Sequence, residues 1–123
     1  MLNKKEKIRM QFRKARNKEY ADNFEVFEGD TDVVVKIFGE DNKEYGLTEE
    51  AIMEYERAIN YSEIKKVYWQ CENPIERKEM ARRMQDTGRV VIEKKDGTKI
   101  TLEKLGRAYQ PLITALEEIL KTN

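Results

Sequence analysis

The chain reads as an α+β protein. An antiparallel curved sheet, or a partly open barrel, is capped by a C-terminal helix, with an extra N-terminal helix and a short inserted helix. Three observations predict this. Arg89–Leu102, RVVIEKKDGTKITL, places two apolar runs around Asp96-Gly97, a strong hairpin signal. After Leu102 the apolar spacing changes from alternating to helical. Upstream, short apolar runs are separated by Gly/Asp/Asn clusters that punctuate strands.

The hairpin register follows from its loop length. A two-residue loop, Asp96-Gly97, sets Glu93 opposite Ile100 and mixes the two faces. A three-residue loop, Lys95-Asp96-Gly97, pairs Ile92 with Ile100, Val90 with Leu102, Glu93 with Lys99 and Val91 with Thr101. The second gives one apolar face and one mostly polar face with an opposite-charge pair, so it is preferred, with Gly97 left-handed in a glycine bulge. Beyond it, Leu105, Ala108, Tyr109, Leu112, Ile113, Leu116, Ile119 and Leu120 form one helical stripe. Pro111 belongs in a first turn, where its missing N–H is not needed. The helix is therefore expected from about Ala108 to Lys121.

At 123 residues the chain suits one globular core. Two parts are expected: a basic helical arm over 1–22 and a single α+β domain over 23–123. Net charge is zero, so no overall field selects nucleic acid or membrane as a partner. The distribution is uneven. Residues 1–18 hold eight Lys/Arg against one Glu, net +7; residues 19–63 hold three basic against fourteen acidic, net −11; the remainder is net +4. Basic start and acidic middle are expected to attract, within one chain or between two copies.

One cysteine, Cys71, and no histidine exclude an internal disulfide, the usual Cys/His zinc sites and the His-dependent catalytic triads. Neither a secretory leader nor a membrane span is legible, which points to a cytoplasmic protein. No cofactor or metal is expected, and no catalytic residue stands out. Asp30/Asp32 and Glu49/Glu50 are acidic pairs of the sort so charged a chain produces anyway.

Along the chain, Asn3 to about Ala21 reads as a helix with a thin apolar stripe of Ile8, Phe12 and Ala15. Its cations Lys4, Lys5, Lys7, Arg9, Arg13, Lys14 and Arg16, with Arg82, Arg83 and Arg89 further on, are the candidate contacts for an anion or a partner: nucleic acid, a phospholipid head group or an acidic protein. The plainer reading is a solvated helix resting on its own domain or on a second copy. Phe24–Phe27 and Val33–Phe38 are strands, with turns at Gly29–Asp32 and Gly39–Lys43. Leu47–Ile59 supports two readings. As a helix it has Thr48 as cap; as a strand it sets Met53, Tyr55, Arg57, Ile59 and Tyr61 on one side. Ile64–Cys71 is a strand that buries or half-buries Trp69. Asn73–Gln85 is a short helix with Asn73 as cap, Pro74 first, an apolar face of Met80, Ala81 and Met84, and Gly88 as terminator.

The order AINYSEIKKVYW, then GRVVIEKKDGTKITL, then LGRAYQPLITALEEIL resembles the bacterial PH-like domains over about residues 33–121. The resemblance implies that Leu47–Ile59 is strand with a turn at Thr48–Ala51. It implies buried positions at Leu47, Ile52, Ile59, Tyr61, Ile64, Val67, Val90, Ile92, Ile100 and Leu102. It also implies a non-catalytic binding or assembly module, acting on a protein partner or on a second copy. The alternative is anionic-ligand binding through the basic helix, as in a small phage or mobile-element accessory protein. Ala51 where glycine is common, the inserted helix and the N-terminal helix depart from the family pattern.

Overall fold

The computed structural model describes residues 3–17, 23–54, 57–70, 73–84 and 88–122. Helix α1 (Lys4–Asn17) leads into strands β1 (Phe24–Val26), β2 (Val35–Phe38), β3 (Glu44–Leu47), β4 (Ala51–Glu54) and β5 (Arg57–Asn60). A single helical turn, Tyr61–Glu63, joins β5 to β6 (Ile64–Trp69). Helix α2 (Pro74–Met84) is inserted before β7 (Val90–Lys94) and β8 (Lys99–Leu102), and α3 (Tyr109–Thr122) closes the chain. The architecture is α+β. Instead of one continuous curved sheet, the strands form two antiparallel meanders, β1-β2-β3-β4-β5 and β6-β7-β8.

Turn chemistry sets the registers. At Gly39–Lys43 the chain reverses through Asp41 and Asn42, both at positive φ (55° and 61°), as the mirror-image hairpin turn demands. At Thr48 the side-chain hydroxyl accepts from the Ala51 N–H at 3.0 Å, and the buried Tyr61 hydroxyl donates to the Thr48 carbonyl at 2.7 Å. Leu47–Ile59 is therefore strand with a turn after Leu47, and the helical alternative does not form. A single strand does not form either. Glu54 pairs with Arg57 and Met53 with Ala58, so the chain reverses between them. Met53 consequently points outward at 38% exposure while Ile59 and Tyr61 are buried, instead of all three sharing a side.

The β7–β8 hairpin has the three-residue loop: Ile92 pairs with Ile100, Val90 with Leu102 and Glu93 with Lys99. Gly97 sits at φ 92°, and its N–H donates to the Lys94 carbonyl at 3.0 Å. Helix α2 is capped by the Asn73 side chain, which accepts from the Ile75 N–H at 2.9 Å, and Pro74 is its first residue. The side chains of Met80, Ala81 and Met84, the proposed apolar face, lie outside the described residues, as do Cys71, Tyr55 and Gln85.

Packing follows from two rows across the first sheet. On the inner face Val26, Val35, Leu47, Ile52 and Ile59 are successive cross-strand partners, an all-apolar row. They share a core with Ile64, Val67, Val90, Ile92 and Leu102 of the second sheet. Ile100 is partly buried against it. Helix α3 lies on β6 and presents Leu112, Ala115, Leu116 and Ile119, each at most 1% exposed. Helix α1 packs on α3 and on β1 and β2, with Ile8 and Phe12 at 0% exposure. One corner between the sheets is tied by backbone and side-chain bonds. The Glu40 N–H donates to the Lys104 carbonyl (2.8 Å), the Tyr45 hydroxyl to Glu103 (2.7 Å), and the Asn23 amide to both Phe38 and Leu105.

Two glycines make a graded test of this geometry. A Cβ on Gly97 meets nothing within 4 Å, so Gly97→Ala suffers only the positive-φ penalty, about 1 kcal/mol. A Cβ on Gly88, also at positive φ, falls 2.3 Å from the Gly106 carbonyl oxygen. Denaturant melts are expected to show the Gly88→Ala loss clearly exceeding that of Gly97→Ala; equal losses contradict the backbone contact.

Candidate binding groove

The cations singled out in the sequence are mostly occupied by their own chain. Arg9 is 4% exposed: its Nε donates to the Phe27 carbonyl at 2.7 Å, one Nη to the Gly29 carbonyl at 2.6 Å, and the other to Glu6. Arg13 makes a two-pronged pair with Glu28 at 2.5 and 2.6 Å and also reaches Glu6. Arg16 donates to the Phe24 carbonyl at 3.2 Å and sits 5.0 Å from the centroid of the Phe24 ring. Lys5 bonds Asp30 and the Thr31 carbonyl. The basic start thus meets the acidic middle within one chain. Lys7 is half-buried and Lys14 exposed. Lys4 lies in a small hollow with Glu50, Asn60, Tyr61 and Ser62. Arg89 pairs with Glu103 at 3.1 Å. The side chains of Arg82 and Arg83 lie outside the described residues.

The larger concavity is on the opposite side of the first sheet from the core. Glu25, Lys36, Gly46, Met53 and Ala58 are cross-strand partners in one outward row. In its middle Gly46 lacks a side chain, and a groove of about 840 Å³ opens there, within the roughly 300–1,000 Å³ of ligand sites. Phe27, Val33 and Met53 give it an apolar lining; Lys36, Asp41, Lys43, Glu44 and Glu54 form its rim. Phe38, in the adjacent row opposite Glu44, is 40% exposed. Glycine in a strand interior weakens the strand and marks places where another group approaches closely. Nothing in the backbone requires glycine here: a Cβ at Gly46 has its nearest contact at 3.5 Å, to Val33. Sequence reasoning missed the groove. EYGL was the only trace, and it acquires meaning only once Gly46 is known to lie between Lys36 and Met53.

The rim charges are locally balanced. Lys36 pairs with Glu44 at 3.3 Å, Glu54 with Arg57, and Asp41 with Lys104. The Lys104 ammonium holds the Asp41 carboxyl below the usual range, and Asp41 raises Lys104 in return. The pairs leave the rim without a concentrated field of either sign. Among the described residues no group of three or more His, Cys, Asp or Glu side chains is placed to hold a metal ion. No described helix is long and apolar enough to cross a membrane.

Two measurements check these assignments. Arg9→Ala removes a buried side chain and leaves the Phe27 and Gly29 carbonyls without their guanidinium donor, while Glu6 keeps Arg13, so a loss of about 1–3 kcal/mol is expected in chemical denaturation. Lys14→Ala, on exposed surface, is expected within about 0.5 kcal/mol; similar losses for both rule out the buried clamp. The second concerns alkali. Burial, with the Glu54 charge a lesser cause, raises the Tyr45 hydroxyl from 10.0 to about 12, and burial raises Tyr61 as well. The unfolded chain then loses these protons first, so stability is intact below pH 10 and falls as pH rises towards 12. Tyr45→Phe is expected to flatten that fall; an unchanged alkaline slope excludes Tyr45 as a source.

No protein-family model matches the chain, and no curated protein or solved structure matches it.

Proposed function

We propose that the protein is a non-catalytic binding and assembly module of PH-like type that docks a protein partner on the outer face of the β1–β5 sheet. Two antiparallel meanders followed by a closing helix are the order a PH-like domain has, which supports that kinship. The observation that carries the docking site is the groove over Gly46, where Phe27, Val33 and Met53 meet on the outward face of the sheet. Apolar groups gathered in a concavity with a polar rim are the usual make-up of a recognition site. The anion-binding alternative through α1 has less support. Lys5, Arg9, Arg13 and Arg16 are already engaged with acceptors of the chain, and releasing them for phosphate forfeits those bonds.

A photoreactive residue at position 53, introduced in the protein's native cell, tests this. Discrete adducts are expected, competed away by excess unlabelled protein and abolished when Gly46→Leu fills the groove. The same probe at the exposed Glu117 of α3 serves as control. Identical adducts from both positions, or adducts indifferent to Gly46→Leu, remove the proposal.

A further inference from the structure

The occupant of the groove can be narrowed, on the premise that the outer face is a protein-docking face. We infer that it is the same face of a second copy of this chain. An isologous interface requires one patch to carry both the projecting group and the recess that receives it. This patch carries both: Met53 and Phe38 project at 38% and 40% exposure, and Gly46 leaves the recess beside them.

Charge points the same way. The outward positions hold both signs, Glu25 and Lys43 beside the Lys36–Glu44 and Asp41–Lys104 pairs, so the face carries no excess of one sign. A mixed face can meet itself with unlike charges opposed, whereas a single-signed face repels its own copy. The chain as a whole has net charge zero, so no long-range repulsion opposes the encounter.

Size sets the strength. Five strands about 4.8 Å apart, each about four residues of 3.4 Å, make a face of roughly 20 by 14 Å. That is well under the ~800 Å² per partner of a durable complex. The dimer is therefore weak and reversible. Two such faces stack about 10 Å apart in the manner of a sandwich.

Sedimentation velocity of the purified full chain, from about 10 µM to 1 mM, is the test. A reversible monomer–dimer equilibrium is expected for the wild type. Gly46→Leu, which fills the recess, and Met53→Ser, which removes the projection from an exposed position, are each expected to weaken it at least tenfold. Melting curves verify that both variants remain folded. A wild type that is monomeric at 1 mM overturns the inference, and so does a dimer that both variants leave intact, since it then uses another face. A monomeric wild type whose position-53 probe still captures a different protein, sensitive to Gly46→Leu, defeats the second copy as occupant and leaves the docking face standing.

Discussion

Arg9 lies where water barely reaches, and a guanidinium in that position has to find its hydrogen-bond partners within the chain. It finds the carbonyls of Phe27 and Gly29 and the carboxylate of Glu6. Those carbonyls belong to the segment that leaves β1, so satisfying Arg9 fixes α1 against the edge of the first sheet. Arg13 holds Glu28, between those two carbonyls, and Arg16 holds the Phe24 carbonyl at the start of β1. Arg16 also occupies a backbone carbonyl of the edge strand β1 that would otherwise be open to pairing. Burying Ile8 and Phe12 contributes on the order of 3–6 kcal/mol. A domain's whole stability is about 5–15 kcal/mol, so the helix is a structural wall of the core.

How far this was readable in the sequence depends on the range of the cause. The β7–β8 register was readable because one loop and two apolar pairs decide it, all within fourteen residues. Helix α3 and the Asn73 cap were readable for the same reason. The α1 cations were identified as residues that matter, but the kind of use was not. A lysine or arginine on a helix looks the same whether a phosphate or a backbone carbonyl awaits it, and the carbonyls of Phe27 and Gly29 have no signature in sequence. The attraction between basic start and acidic middle was visible as charge. Its resolution within one chain required the fold.

Leu47–Ile59 shows where local propensity stops. Its composition favours helix, yet Leu47, Ile52 and Ile59 fill one cross-strand row that the core completes with Val26 and Val35. Tertiary burial outweighs a propensity difference of tenths of a kcal/mol per residue. The reversal between Glu54 and Arg57 then changes the sidedness of everything after it. Met53 and Ile59 have the same parity in sequence and opposite fates in the fold. A two-residue period carries through a strand, and a hairpin resets it.

Two earlier reversals create the groove. Lys36, Gly46 and Met53 become neighbours only after two turns, at Gly39–Lys43 and at Thr48, have each placed the next strand in register. A shift of one residue at the first turn would send Gly46 to the inner face, where a missing side chain would leave a cavity, and a shift at the second would send Met53 inward and Ile52 outward. The bonds that hold the Thr48 turn, from the Ala51 N–H and the Tyr61 hydroxyl, therefore secure more than the core. They keep Met53 beside the glycine on the outer face, where the absence of a side chain makes a recess. The inner row is covered by a second sheet and two helices. The outer row, with Val33, Met53 and Phe38 around that recess, gains by being covered too.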